Sequence, residues 1–165
     1  MAGTVSAIPE GLHTISAHLS IKGAEKAIEF YQNAFGAELQ GGVFKTPDGK
    51  VMHAQLRIGD SILMLADEFP GMGDTSSPQT LGGTTITLNI YTDNVDQLFD
   101  RAVKAGAKVT MPLANQFWGD RYGHVKDPFG HSWALGQHVE DVAPAEMERR
   151  GREAMAQMSK AAGQK

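Results

Sequence analysis

The feature that most constrains this chain is an internal repeat in the order of its strands and helices. In each half, the sequence pattern predicts one strand, one helix and then three further strands. The segments Phe35-Gly36-Ala37 and Ala105-Gly106-Ala107 mark corresponding points in the two halves, with an offset of 70 residues between Gly36 and Gly106. Each half alone is small for an independent hydrophobic core. The repeat therefore predicts a single α+β domain built from two βαβββ modules.

Alternation of polar and apolar residues identifies the strands. Polar and apolar side chains alternate strictly from Thr14 to Ile21, and the same period of two runs through residues 51–58 and 85–91. This period predicts strands with one packed face and one polar face. The polar faces either simply contact water or converge on one cavity, and alternation alone does not separate these two possibilities.

Helical spacing and turn residues define the remaining elements. Apolar residues at helical spacing predict helices at residues 24–35 and 95–105, each followed by a glycine suited to a C-terminal cap. A tight turn, Asp127-Pro128-Phe129-Gly130, leads into a last strand at residues 132–138, in which Trp133 and Leu135 share the predicted packed face.

The chain divides into three parts by these patterns. Residues 1–11 form a flexible lead-in, residues 12–140 form the domain, and residues 141–165 form an added helix and tail. Within the domain, the modules span about 12–67 and 84–138, and residues 68–83 connect them. This connection contains Pro70 and Pro78, neither in a helical context, and we expect a linker or lid without a helix.

Charge and composition exclude several classes of partner. The net charge of -4 gives no broad cationic field, so we expect neither nucleic acid nor an anionic membrane as a partner. The absence of cysteine leaves His, Asp and Glu as the strong metal ligands. No secretory signal is evident in the first ten residues and no run is long enough to span a bilayer, so we expect a cytoplasmic protein.

Several short motifs carry a resemblance to a known family. They are His13-Thr14-Ile15, residues 27–31, Phe35-Gly36-Ala37, residues 119–123 and residues 127–133. Together they resemble the vicinal oxygen chelate superfamily, which contains glyoxalases, bleomycin-resistance proteins and extradiol dioxygenases, and they are most similar to its PhnB-like branch. The resemblance covers about residues 12–140. It implies a cup-shaped, partly open barrel of mixed β-sheet, formed within one chain or across a dimer, whose polar faces line a cavity.

The resemblance also bears on metal binding. In metal-dependent members such as glyoxalase I, His or Glu ligands lie on the first and last strands of each module. The corresponding positions fall on Ser16, Met64, Thr87 and Ala134. None of these is a good ligand for a divalent transition metal. The resemblance therefore implies that the family's metal site is absent, which argues against glyoxalase and dioxygenase chemistry, and we expect no cofactor.

These observations favour a metal-independent small-molecule binding protein, resembling bleomycin-resistance-type sequestration proteins. We expect a homodimer and an aromatic or apolar ligand. The predicted ligand-binding residues are Ser16, His18, His53, Gln55, Asn89, Tyr91 and Trp118.

Two alternatives remain open at this stage. One is a glyoxalase-like lyase or isomerase that uses a metal held by His18 and His53, or an acid–base group such as His124. The other is a dimer with a merely vestigial cavity. Among the remaining polar residues, we expect His131 to be exposed, and Asp120 and Arg121 to form an ion pair with each other.

Overall fold

The computed structural model describes residues 5–72 and 75–162. The predicted repeat is present as two βαβββ modules. The first contains β1 (His18–Ile21), α1 (Ala24–Phe35), β2 (Glu38–Lys45), β3 (Val51–Ile58) and β4 (Ser61–Asp67). The second contains β5 (Thr87–Tyr91), α3 (Val95–Ala105), β6 (Lys108–Asn115), β7 (Asp120–Lys126) and β8 (Ser132–His138). A short helix α2 (Pro78–Leu81) lies between the modules and α4 (Pro144–Ala162) follows them.

Each module forms one open, mixed sheet of four strands. The strand orders are β1-β4-β3-β2 and β5-β8-β7-β6, so the first strand of each module lies at an edge. β1 pairs with β4 in parallel, as β5 does with β8, and the remaining pairs are antiparallel. The predicted α+β class and glyoxalase-like module are confirmed.

The two long helices of the modules form where their patterns predict. Gly36 and Gly106 adopt the left-handed conformation at the C-terminal ends of α1 and α3, with φ of 67° and 114°. At the start of α3, the side chain of Asn94 accepts a hydrogen bond from the backbone N–H of Gln97. Each helix buries its apolar face against the sheet of its own module, and the two helices pack against each other.

One hydrophobic core joins the two modules. Phe35 and Tyr31 of α1 reach across to Trp133 of β8, with ring centroids 4.6 and 5.4 Å apart. The buried carboxylate of Asp127 accepts hydrogen bonds from the Tyr31 hydroxyl at 2.7 Å and from the Trp133 indole N–H at 2.9 Å. Trp133 and Leu135 are buried, as predicted. The turn before β8 is thus fixed to the first module through side chains.

Two local expectations are corrected by the structure. The connection between the modules contains a helix after all, because Ser77 caps α2 by accepting a hydrogen bond from the N–H of Thr80, and Pro78 at the first helical position needs no partner for its nitrogen. The first strand begins only at His18. Upstream of it, the Ser16 hydroxyl bonds the backbone of His13 in both directions at 3.2 Å, and this local turn replaces sheet pairing.

The helix α4 returns over the second module. Arg150 forms ion pairs with Glu140 and Glu146 at 2.7 Å. Gly151 faces the ring of Phe117, which a Cβ at this position would meet at 3.3 Å. The first half of α4 is therefore fixed to the segment that leads into β7. Within residues 5–72 and 75–162, no helix is long and apolar enough to cross a membrane.

Candidate ligand-binding site

Three aromatic side chains lie together on the polar face of the second sheet. They are Tyr91 of β5, Trp118 before β7 and Tyr122 of β7, and we call them the aromatic shelf. The rings of Trp118 and Tyr122 meet edge to face, with centroids 5.7 Å apart. Tyr91 and Tyr122 both contact the backbone of Gly136, where a Cβ would lie 3.1 and 3.0 Å from their rings. Glycine at this position therefore lets the two rings close over β8.

The orientation of the shelf is set by two polar side chains beneath it. The carboxylate of Asp120 accepts hydrogen bonds from the Tyr91 hydroxyl at 2.8 Å and from the Trp118 indole N–H at 2.9 Å. The Tyr122 hydroxyl donates to the side-chain oxygen of Asn89 at 2.7 Å. All three aromatic side chains are held by their polar atoms, which leaves ring surface free for contact.

The hydrogen bonds to Asp120 keep its carboxyl group ionised and the hydroxyl of Tyr91 protonated. Burial acts to raise the pKa of Asp120, but hydrogen bonds from His138, Tyr91 and Trp118 outweigh it and lower the pKa below its usual value. The hydrogen bond to Asp120, together with burial, raises the pKa of Tyr91 to about 12. Asp120 is consequently an acceptor and Tyr91 a donor throughout the neutral pH range.

A second polar group lies on the first sheet. The imidazole rings of His18 and His53 have centroids 6.2 Å apart, and the amide nitrogen of Gln55 is 3.2 Å from Nε2 of His53. Met64 on β4 is the ladder partner of both His18 and Gln55. Burial, followed by the charge of His53, lowers the pKa of His18. This group therefore favours neutral imidazole at His18 near neutral pH.

The seven predicted ligand-binding residues are distributed over both sheets. A cavity of about 890 Å³ between the modules is lined in part by Ser16, Asn89 and Tyr91. A second cavity, of about 870 Å³, is lined in part by Ser16 and His18. The other three, His53, Gln55 and Trp118, line neither of these two cavities. Their role in binding remains a prediction.

The ladder registers allow a test of whether the family's metal would fit. The two last-strand positions, Met64 and Ala134, pair with His18 and Asn89 on the first strands, two residues beyond Ser16 and Thr87. This set of four offers one imidazole, one amide, one thioether and one methyl group, which do not make a site for a divalent transition metal. Across the described part of the chain, no group of three or more His, Cys, Asp or Glu side chains is arranged to hold a metal ion.

Sequence reasoning missed the central role of Asp120. The expected ion pair with Arg121 is wrong, because successive residues of a strand point to opposite faces and Arg121 instead pairs with Asp96 at 2.6 Å. The partners of Asp120 come from three places in the chain, namely Tyr91, Trp118 and His138. The sequence contained one indication of this role: Asp120 and Tyr122 are two residues apart in the segment that forms β7, so their side chains lie on the same face.

The expected exposure of His131 is also wrong. Its side chain is buried, with 8% of its surface exposed, at the junction between the turn of residues 127–130 and β8. His124, the candidate acid–base group, lies beside Tyr122 with ring centroids 5.3 Å apart. Both histidines therefore belong to the packed structure of the second module, and catalysis by His124 remains a prediction.

Comparison with known proteins shows which family this chain matches. The family described as the Glyoxalase/Bleomycin resistance protein/Dioxygenase superfamily matches residues 12–135. Protein Mb0911c of Mycobacterium bovis (strain ATCC BAA-935 / AF2122/97) is 48% identical over 130 residues, which cover 78% of this chain and 85% of that protein. Protein YjdN of Escherichia coli (strain K12) is 26% identical over 141 residues, covering 73% of this chain and 92% of that protein.

Solved structures give the same fold. TioX from Micromonospora sp. ML1 superposes with a TM-score of 0.61 at 26% identity, over 77% of this chain and 99% of that one. TnmS3 from Streptomyces sp. CB03234, described as an antibiotic binding protein, gives 0.56 at 25% identity over 84% and 100% of the two chains. The PhnB protein from Bacillus cereus gives 0.56 at 22% identity over 76% and 99%, and agrees in fold with the PhnB-like resemblance.

Proposed function

The chain belongs to the Glyoxalase/Bleomycin resistance protein/Dioxygenase superfamily, and on that premise we propose that it is a metal-independent protein that binds and sequesters a planar aromatic or apolar small molecule. The observation that carries the proposal is the aromatic shelf of Tyr91, Trp118 and Tyr122. A planar ligand would stack on this surface, whose rings are already held in place by Asp120 and Asn89.

Preorganisation is the physical reason that the shelf suits a ligand. Tyr91 is 57% exposed, yet its hydroxyl is fixed by a buried carboxylate. An exposed aromatic side chain normally loses rotamer freedom when it contacts a ligand, and this cost is reduced when hydrogen bonds have already set its position. Offset or edge-to-face contact with each ring then adds about 0.5–1.5 kcal/mol beyond burial of area.

Two further observations support binding without a metal. The positions that correspond to the family's ligands hold Met64 and Ala134 beside His18 and Asn89. These four side chains do not form a site for the divalent metal ion that acts as the Lewis acid in the metal-dependent members. The likeness to TnmS3 supports a binding role, because that protein is described as binding an antibiotic.

The proposal includes a homodimer. β1 and β5 lie at sheet edges, and the large apolar side chains next to them, Ile15 and Ile86, are 89% and 66% exposed. Exposed edges and apolar side chains of this kind are commonly covered by another chain. The cytoplasmic location expected from the sequence is also part of the proposal.

One alternative function is favoured by a specific observation. The rings of His18 and His53 have centroids 6.2 Å apart. Burial and the charge of His53 lower the pKa of His18, which favours its neutral form. An imidazole in this state is suited to act as a general base in a lyase or isomerase. This alternative requires turnover that His18→Ala and His53→Ala abolish while the fold persists.

The shelf is tested with two tricyclic probes of opposite charge, proflavine and anthraquinone-2-sulfonate. The chain has two tryptophans, of which Trp133 is buried and Trp118 is in the shelf. Stacking predicts that both probes quench Trp118 fluorescence saturably, and that binding measured by calorimetry weakens at least tenfold in Trp118→Ala. The matched control is Phe69→Ala, which removes an aromatic ring from the connection between the modules.

The outcomes separate the three functions. Binding of both probes with loss only in Trp118→Ala supports the proposal, and the melting temperature then rises with ligand concentration. If neither probe nor a wider set of planar compounds binds or raises the melting temperature, the sequestration proposal is wrong and a vestigial cavity becomes the better interpretation. Turnover that depends on His18 would favour the enzyme.

A further inference from the structure

The polar face of the second sheet carries rows of side chains that run across all four strands. Residues two apart on a strand point to the same side, so neighbouring rows are about 6.6 Å apart. The ladder registers place two rings of the aromatic shelf in one row, which consists of Tyr91, Gly136, Tyr122 and Ala114. The rows that follow along β7 therefore determine what surrounds a ligand on the shelf.

The next row extends the aromatic surface of the shelf. It consists of Asn89, Ala134, His124 and Met111. The ring of His124 meets that of Tyr122 edge to face, with centroids 5.3 Å apart. Neither ring nitrogen of His124 has a hydrogen-bond partner among the described residues, and neither is fully buried. A planar ligand that covers Tyr122 can therefore extend over His124 towards the third row.

The third row consists of hydrogen-bond donors. It contains two hydroxyl groups and two ammonium groups, from Thr87, Ser132, Lys126 and Lys108. Lys126 of β7 and Lys108 of β6 are direct ladder partners, so their side chains start on the same face, and both are exposed. All four groups can donate a hydrogen bond to an anion.

The two lysines lack an acidic partner in the described part of the chain. Neither forms an ion pair there, whereas Lys45 on the first sheet pairs with Glu25. Asp127 directly follows Lys126, but its carboxylate is buried and accepts four hydrogen bonds from other groups. Like charges directly opposite each other on a sheet are destabilising. An anion bound between Lys108 and Lys126 would remove this repulsion.

The carboxylate on the same face of β7 lies at the opposite end of the strand. Asp120 precedes Lys126 by six residues, which is about 20 Å along a strand. Its oxygens already accept hydrogen bonds from Tyr91 and Trp118 and contact the ring of His138. Charge therefore changes sign along this face, from the carboxylate past the rings to the lysines. A ligand with an acidic group gains most when that group lies at the lysine end.

On the basis of the proposed function of the shelf, we infer that its ligand is a planar aromatic anion, such as a carboxylate, phenolate or sulfonate. Its rings lie over Trp118 and Tyr122 and extend past His124. Its acidic group contacts the ammonium groups of Lys126 and Lys108. The rings bind the ligand by stacking, and the two lysines select it by charge.

Three probes with one ring system and different charges test this selection. 2-Naphthoate is an anion, 2-naphthamide is neutral and 2-naphthamidine is a cation, and the three have nearly the same shape. We expect calorimetry at low salt to give at least tenfold tighter binding of 2-naphthoate than of 2-naphthamide, and the weakest binding for 2-naphthamidine. Added salt should reduce the preference for 2-naphthoate, because exposed charges are screened. The affinity for 2-naphthamide should stay unchanged.

Charge reversal shows where the selection arises. We expect Lys126→Glu to reverse the order, so that 2-naphthamidine binds more tightly than 2-naphthoate. The double variant Lys108→Gln with Lys126→Gln should bring the three affinities close together. The matched control is Lys26→Glu, which changes the net charge equally at an exposed position of α1 and should preserve the order. Trp118→Ala should weaken all three probes and leave their ratios unchanged.

The outcomes distinguish this inference from the proposed function. If the three probes bind equally and Trp118→Ala weakens them all, the proposed function holds and the inference is wrong. A preference for 2-naphthoate that survives Lys126→Glu, or that Lys26→Glu removes to the same extent, would also overturn it, since the two lysines would then not be its source. If none of the three binds, the inference is wrong, and the two tricyclic probes decide separately whether the shelf binds a ligand.

Discussion

Tyr91 and Asp120 are joined by a 2.8 Å hydrogen bond that crosses the second sheet from β5 to β7, over the intervening strand β8. The absence of a side chain at Gly136, the ladder partner of Tyr91 on β8, makes this crossing possible. A cross-sheet contact of this kind fixes an edge strand to the centre of its sheet through a side chain as well as through the backbone. The aromatic shelf depends on it.

Removal of the Tyr91 hydroxyl tests that relationship. In Tyr91→Phe, the ring remains but the hydrogen bond to Asp120 is lost. We expect the free energy of unfolding to fall by about 1 kcal/mol, which is below the range of about 1.5–3 kcal/mol for charged partners because Tyr91 is more than half exposed. Tyr122→Phe, which loses a bond to the neutral Asn89, should cost less. Urea unfolding measures both variants, and a larger loss in Tyr122→Phe would contradict the role given to Asp120.

The buried carboxylate of Asp127 provides a stronger test of the contact between modules. It accepts four hydrogen bonds, from the Tyr31 hydroxyl, the Trp133 indole and the backbone N–H groups of Phe129 and His131. We expect Tyr31→Phe to cost about 1.5–3 kcal/mol, because one buried donor to a charged acceptor is lost. Asp127→Ala should cost more, since it leaves several buried donors without an acceptor. Chemical denaturation checks the order.

The histidine beside Asp120 gives stability a defined pH dependence. Hydrogen bonds with Asp141 and Asp120 raise the pKa of His138 above the ordinary 6.5. A raised pKa means that the folded state holds the proton more tightly, so this contribution is fully present below about pH 6.5 and is lost as pH rises through the higher folded value. We expect the difference in melting temperature between the native protein and His138→Gln to shrink across this interval.

Asp120 acts in the opposite direction at acidic pH. Its lowered pKa means that its contribution is present above the ordinary value of 3.8 and disappears as pH falls through the folded value. Melting curves of the native protein and Asp120→Asn should therefore converge as the solution is acidified. Curves that stay equally separated at every pH would show that the charge of Asp120 is not what stabilises the shelf.

A glycine substitution tests the connection between the β6–β7 segment and the chain after β8. Gly119 has φ of +95°, and a Cβ added there would lie 2.1 Å from the carbonyl oxygen of Glu140. We expect Gly119→Ala to lose more than about 2 kcal/mol of stability, since strain and a backbone clash combine. Gly42→Ala is the control, because that position has open surroundings and no positive φ. Similar stability of the two variants in urea would contradict the described packing.

Metal binding is tested by elemental analysis of the purified protein and by melting curves with Zn²⁺, Ni²⁺, Mn²⁺ and Fe²⁺. The side chains at His18, Met64, Asn89 and Ala134 predict neither stoichiometric metal nor stabilisation by these ions. Stoichiometric metal that is lost in His18→Ala would overturn the metal-independent proposal and favour the enzyme.

Much of the fold was accessible from the sequence because its signals are local. The period of two in residues 51–58 and the helical spacing in residues 24–35 identify elements whose bounds agree with the structure. Elsewhere the prediction failed because side chains of serine bond the nearby backbone and replace the expected structure. Ser16 forms a turn with His13 and shortens β1, and Ser77 with Pro78 starts a helix inside a segment rich in turn residues.

The site was less accessible because its contacts join distant parts of the chain. Alternation placed Asn89 and Tyr91 on one face, and the structure puts both beside Tyr122 and Asp120, as ladder register and hydrogen bonding dictate. Alternation could not reveal that Arg121 pairs with Asp96, or that the side chain of His131 is buried.

The sequence by itself determined the two βαβββ modules and their polar and apolar faces, because each depends on residue type and short-range spacing. Only the tertiary structure decided which polar side chains meet. Strand order brings β5 and β7 to either side of β8, and the glycine at position 136 lets Tyr91 reach Asp120. Such contacts depend on ladder register and on the close approach of distant segments, which no local pattern encodes.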